Sequence, residues 1–166
     1  MVSTGEKDRR QQIYEELNRE ARLSSSLTIL FSQAVAERLG VHSTDIETVD
    51  LLHLMGPMTA GRLSEVTGLT TGATTRLIDR MERAGFARRR HDPLDRRRVV
   101  VEATTDNFDR VQPLFEPIAR RMGELWSTYS TEQLDVMVDF FKKSNLVMSE
   151  ENTRLRSQTK SDAISG

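Results

Sequence analysis

From Lys7 to about Leu39 apolar residues recur at helical spacing: Ile13, Leu17, Ala21, Leu23, Leu27, Leu30, Phe31, Ala34 and Val35. No proline interrupts this run, and Gly40 supplies a stop. The Ser24-Ser25-Ser26 stretch is expected to bend or weaken its middle. Thr44, with Glu47 three residues on, reads as a capping box opening a helix with Ile46, Val49, Leu52 and Met55, ended by Gly56-Pro57. Thr59 caps a short helix carrying Leu63 and Val66, which Gly68 terminates. Thr70 or Thr71 caps a further helix that runs to Ala84 and stops at Gly85.

The helical period is lost between Phe86 and Thr104. Phe86–Arg90 and Arg98–Ala103 read as two short strands, with His91-Asp92-Pro93-Leu94-Asp95 as the turn. Thr105 is expected to cap the next helix, which Pro113 and Pro117 should kink or restart before Leu114, Ile118, Met122, Leu125 and Trp126. A last helix, capped by Thr131, carries Leu134, Met137, Val138 and Phe141 to about Arg154, and residues 157–166 read as a disordered tail. Two short helices across a glycine turn, followed by a hairpin, make a winged helix-turn-helix.

Composition narrows the function classes. The chain has 166 residues, enough for one domain or two packed lobes. Without cysteine it has no disulfides, thiolate metal sites or thiol chemistry. The polar start and a mean hydropathy of −0.50 suggest a soluble intracellular protein. His42, His53 and His91 stand singly, so no metal site is read, and no cofactor is expected. GLTTGATT lacks the lysine of a phosphate-binding loop and no catalytic constellation is visible, so no enzyme is read.

Charge is the strongest signal. The net value is −1, yet residues 76–98 hold nine arginines against four acids, a local +5 that leaves −6 on the rest. Such a patch suits duplex DNA, because the planar guanidinium matches phosphates and base edges. A solvated, internally paired helix is the plainer alternative. On a helical wheel Ala73, Leu77, Ile78, Met81 and Ala84 form the core stripe, with Thr74 beside it. Thr71, Gly72, Thr75 and Arg76 form a small outward face suited to a major groove, and Arg80 borders both faces. Thr70, Thr71, Gly72, Thr75, Arg76 and Arg80 are therefore the candidate helix contacts. Arg88, Arg90, Asp95, Arg96, Arg97 and Arg98 are the candidate hairpin contacts, with Asp95 placed to orient Arg97 towards a minor groove.

The segment from Gly40 to Thr105 resembles the MarR (multiple antibiotic resistance regulator) family of bacterial and archaeal transcription factors. The resemblance lies in RLGVHSTDIETVDLL, in GPMTAGRLSEVTGLTTGATTRLIDRMERAGFARR and above all in HDPLDRRRVVVEAT. The family's wing pattern falls on Asp95 and Arg97, and its recognition-helix pair on Thr75 and Arg76. The expected fold is mainly α with a small β-hairpin wing, a winged helix-turn-helix flanked by N- and C-terminal dimerisation helices. Residues 1–40 and 105–156 would be the dimerisation helices and 41–104 the DNA-binding domain. The resemblance implies a cytoplasmic homodimer on a pseudo-palindromic operator, usually a repressor, often released by a small aromatic or phenolic effector. Tyr14, Phe31, His53, Met55, Phe115, Met122 and Trp126 are pocket candidates, although such a set more often packs a core. A winged-helix module that docks on another protein, without DNA, is the alternative function.

Overall fold

The computed structural model describes residues 4–165, with side chains over 5–158. Its elements are α1 (Thr4–Leu39), α2 (Ser43–Met55), α3 (Ala60–Thr67), α4 (Thr71–Arg83), β1 (Ala87–His91), β2 (Val99–Ala103), α5 (Phe108–Trp126) and α6 (Thr131–Ser165). They fall into two units, Met1–Arg110 and Val111–Gly166.

The first unit is a winged helix with the end of α1 packed onto it. Its core is built from Leu52, Leu63, Leu77, Ile78, Met81, Phe86 and Val101, all buried. Each such side chain contributes roughly 1.5–3 kcal/mol on leaving water. Val35, Ala36 and Leu39 at the end of α1 join this core, whereas Leu17, Leu23, Leu27 and Leu30 stay exposed. The Ser24-Ser25-Ser26 run does not interrupt α1. Hydroxyls in this stretch bond back into the helix, from Ser26 to the Arg22 carbonyl at 3.0 Å and from Thr28 to the Ser24 carbonyl at 2.9 Å.

The hairpin pairs β1 with β2 antiparallel, with Arg88 opposite Glu102 and Arg89 opposite Val101. A third chain segment, unseen in the sequence pattern, completes the sheet. Met58 exchanges backbone hydrogen bonds with Val101 at 3.0 and 2.8 Å. A one-residue bridge has no periodicity by which to detect it.

Several expectations need correction. The box at the start of α2 lies two residues earlier than Thr44 and Glu47: His42 is the N-cap, and Asp45 accepts its backbone N–H at 3.3 Å. Asp45 is buried, which commits it to that role. Thr105 does not cap α5. Its carbonyl accepts the Phe108 N–H at 2.9 Å in a turn, and the helix begins at Phe108. Pro113 and Pro117 lie inside a continuous α5. Both are on the exposed side, where water can satisfy the carbonyls of Asp109 and Pro113 that lose their donors. α6 continues past Arg154 to Ser165, through the expected disordered tail, because no glycine or proline stops it. Gly166 lies outside the described residues.

In the second unit α6 carries exposed Val138, Phe140, Phe141, Val147 and Met148. No α5 side chain is fully buried, and Ile118, Met122, Leu125 and Trp126 are exposed.

Candidate nucleic-acid interface

The turn before α4 is set by Gly68, whose φ of +74° ends α3 while its N–H reaches the Ser64 carbonyl at 2.8 Å. Two residues later Thr70 is the N-cap of α4, accepting the Ala73 N–H at 3.3 Å. Thr74, Leu77, Ile78 and Met81 then face inward. Thr71, Gly72, Thr75 and Arg76 are exposed, as the wheel predicts. The Thr75 hydroxyl donates to the Thr71 carbonyl at 3.0 Å. A Cβ on Gly72 would lie 3.9 Å from the Arg76 Nη1, so the guanidinium runs alongside the bare backbone there.

The nine arginines divide into two sets. Four are tied by carboxylates. Arg80 grips Asp45 with Nε at 3.2 Å and Nη2 at 2.5 Å, which raises its pKa. From the border between the two faces, where the wheel puts it, it anchors α4 to α2. Arg88 and Arg90 both hydrogen-bond Glu102, Arg88 at 2.8 Å, and their donors hold that carboxyl below its ordinary value, Arg90 foremost. These two belong to the hairpin stem, not to its tip. Arg89 bonds Asp79 at 2.7 Å and also Glu82, and its pKa is raised chiefly by Asp79.

The other set is open. Arg83 donates through Nε to the Asp79 carbonyl at 3.1 Å. Arg76, Arg96, Arg97 and Arg98 are exposed, and their guanidiniums make no ion pair among the described residues. Their tip is held by its own backbone. Asp92 accepts the Leu94 N–H at 2.9 Å and Asp95 accepts the Arg97 N–H at 3.0 Å. Asp92 N–H bonds the Arg98 carbonyl and Arg98 N–H bonds the Asp95 carbonyl, both at 2.9 Å. Asp95 thus orients the turn on which Arg97 stands, through the amide and not through the guanidinium. The surface offers cations on the exposed face of α4 and at a braced hairpin tip, a pattern able to meet phosphates and groove edges at two places.

Of the four carboxylates that decide how the arginines divide, Asp45, Asp79 and Glu82 are not legible as partners in the sequence. Glu102 alone has a signal there, since it lies on the strand facing the arginine-rich one. One open surface groove of about 390 Å³ is lined by Glu15, Asn18, Arg19, Arg22, Leu23 and Ser26, and another of about 410 Å³ by His91, Asp92, Pro93 and Arg96. Neither includes an aromatic candidate. No helix among the described residues is long and apolar enough to cross a membrane.

Comparison with known proteins agrees with this geometry. A family model described as the MarR family matches residues 41–99. The chain is 43% identical over 129 residues to the uncharacterized HTH-type transcriptional regulator YcgE of Bacillus subtilis, covering 78% of this chain and 84% of the relative. The HTH-type transcriptional repressor YetL of the same organism is 30% identical over 86 residues, 52% of this chain and 50% of the relative. Among solved structures, a MarR family protein from Bacillus stearothermophilus superposes with a TM-score of 0.62 at 21% identity, covering 84% of this chain and 97% of that one. Apo MarR from E. coli gives 0.53 at 19%, covering 77% and 95%. These two likenesses establish the fold.

Proposed function

This chain belongs to the MarR family of DNA-binding transcriptional regulators, and from that premise we propose that it acts as a homodimeric repressor on a pseudo-palindromic operator. The observation that carries the proposal is the division of the arginines. Arg80, Arg88 and Arg90 serve the scaffold, while Arg76 on α4 and Arg96, Arg97 and Arg98 on the wing remain available. In this reading Thr70, Thr71, Gly72, Thr75 and Arg76 enter the major groove, where Arg76 makes a bidentate contact to guanine. Arg97 enters the adjacent minor groove, and Arg96 and Arg98 meet phosphates.

The exposed apolar residues of α1, α5 and α6 favour a second copy as their cover, since a monomer would leave them in water. The repressor role takes its support from the likeness to YetL. An aromatic or phenolic effector of the kind the family resemblance implies would release DNA by preferring a dimer with the wrong lobe spacing. Full reversal of a 99:1 population needs about 5.5 kcal/mol of such preference.

Selection from random duplexes tests the proposal. An inverted repeat with half-site centres ~34–36 Å apart is expected. Light scattering should give twice the 18.9 kDa chain mass. Enrichment of no repeat, or a monomer at working concentration, overturns it. A wing that docks on protein instead would select no duplex at all.

A further inference from the structure

We infer that Arg89, inside the most basic stretch of the chain, is a positioning residue: a strut that fixes the wing against α4 and so sets the spacing between the two groove-binding elements. The inference rests on the proposed DNA contacts and adds a residue that makes none of them.

Hairpin register separates Arg89 from its neighbours. Arg88 lies opposite Glu102 and Arg89 opposite Val101, so successive arginines leave opposite faces of the hairpin. Arg88 and Arg90 take the Glu102 side. Arg89 takes the side towards α4 and makes three separate connections to it. Its Nη2 donates to Asp79 Oδ1 at 2.7 Å, its Nη1 donates to Glu82 Oε2, and its backbone N–H donates to Glu82 Oε1 at 2.6 Å. Asp79 and Glu82 are one turn apart on α4, three residues beyond Arg76 and further. A planar fork spanning two carboxylates resists both sliding and rotation, which one ammonium could not do.

The hairpin base has other anchors. Phe86 and Ala87 are buried, and Met58 bridges Val101. The fold should therefore survive removal of the strut while the wing gains freedom. The loss would fall on sequence-specific binding, which needs both grooves engaged at once, and not on non-specific binding, which needs only charge.

The chain has no cysteine, so a spin-label pair can be placed cleanly with Leu94→Cys at the wing tip and Glu47→Cys on α2. Labelled chain is diluted with excess unlabelled chain, and the distance distribution is measured without DNA. Arg89→Ala should broaden the distribution, and Arg89→Lys, which keeps the charge without the fork, should leave it nearly as broad. In parallel, Arg89→Ala should weaken the selected operator about tenfold while affinity for a random duplex changes less than about twofold. Arg89→Lys should recover little of the operator affinity, because the charge returns without the fork. An unchanged distribution overturns the strut. Equal losses on both duplexes with a shallower salt dependence also overturn it, and make Arg89 a phosphate contact. If the parent chain selects no operator, the proposed function fails instead, and the distance measurement still decides the strut.

Discussion

Asp45 holds Arg80 through both carboxylate oxygens, across 35 residues of sequence. The same Oδ2 accepts the His42 N–H, so one buried carboxylate starts α2 and fixes α4 against it. Asp45 is 4% exposed at its side chain and Arg80 34%. Removing the arginine would strand the buried charge. Arg80→Ala should lower stability by about 2 kcal/mol in urea unfolding, less than for a fully buried pair because Arg80 reaches solvent. An unchanged midpoint would show that the pair is dispensable and would leave Arg80 free to contact DNA.

Thr74 is 1% exposed, and its Oγ1 has no hydrogen-bond partner among the described residues. Thr74→Val removes that hydroxyl while keeping the shape. Thermal unfolding should show a gain of about 1 kcal/mol, with operator affinity unchanged because the side chain faces inward.

Gly85 closes α4 with a φ of +71°, and a Cβ there would stand 2.8 Å from Asn107 Nδ2. That amide donates to the carbonyls of Ala84 and Gly85 at 2.7 and 2.8 Å. Gly85→Ala should therefore cost roughly 1–2 kcal/mol, from backbone strain and from displacement of the amide. Equilibrium urea unfolding checks it.

Glu102 is held below the ordinary glutamate value of 4.5 by hydrogen bonds from Arg90 and then Arg88. A depressed folded value means stability that is present above 4.5 and lost as the pH falls through the lowered value. Glu102→Gln should be less stable than the parent at neutral pH, with the difference closing in acid. Thermal melts across that range measure it, and a constant difference would show that the two arginines do not depress the Glu102 carboxyl.

Arg76 and Arg97 should separate by kind of loss. Arg97→Ala should weaken binding to most sequences and reduce the salt slope by about one. Arg76→Ala should relax preference at one base pair per half-site, losing about 1–3 kcal/mol of discrimination there. Titrations on mutated operators at several salt concentrations distinguish the two.

Element order, the Thr59 cap, a threonine cap at 70 or 71, the glycine stops and the inward stripe of α4 all follow from residues within one or two turns of each other, which is why they are legible in the sequence. The exposed positions Thr71, Gly72, Thr75 and Arg76 follow from the same period. What each arginine does is another matter. A guanidinium reaches far from its own backbone, so its partner is chosen by which carboxylate folding brings near. Asp45 for Arg80, Glu102 for Arg88 and Arg90, and Asp79 with Glu82 for Arg89 arise from packing between elements, as does the Met58 bridge to Val101. Local pattern thus determined which face of α4 meets water. Tertiary structure alone decided which of the surface cations hold the lobe together and which remain to meet a partner, because ion pairing depends on separation in space and not on separation along the chain.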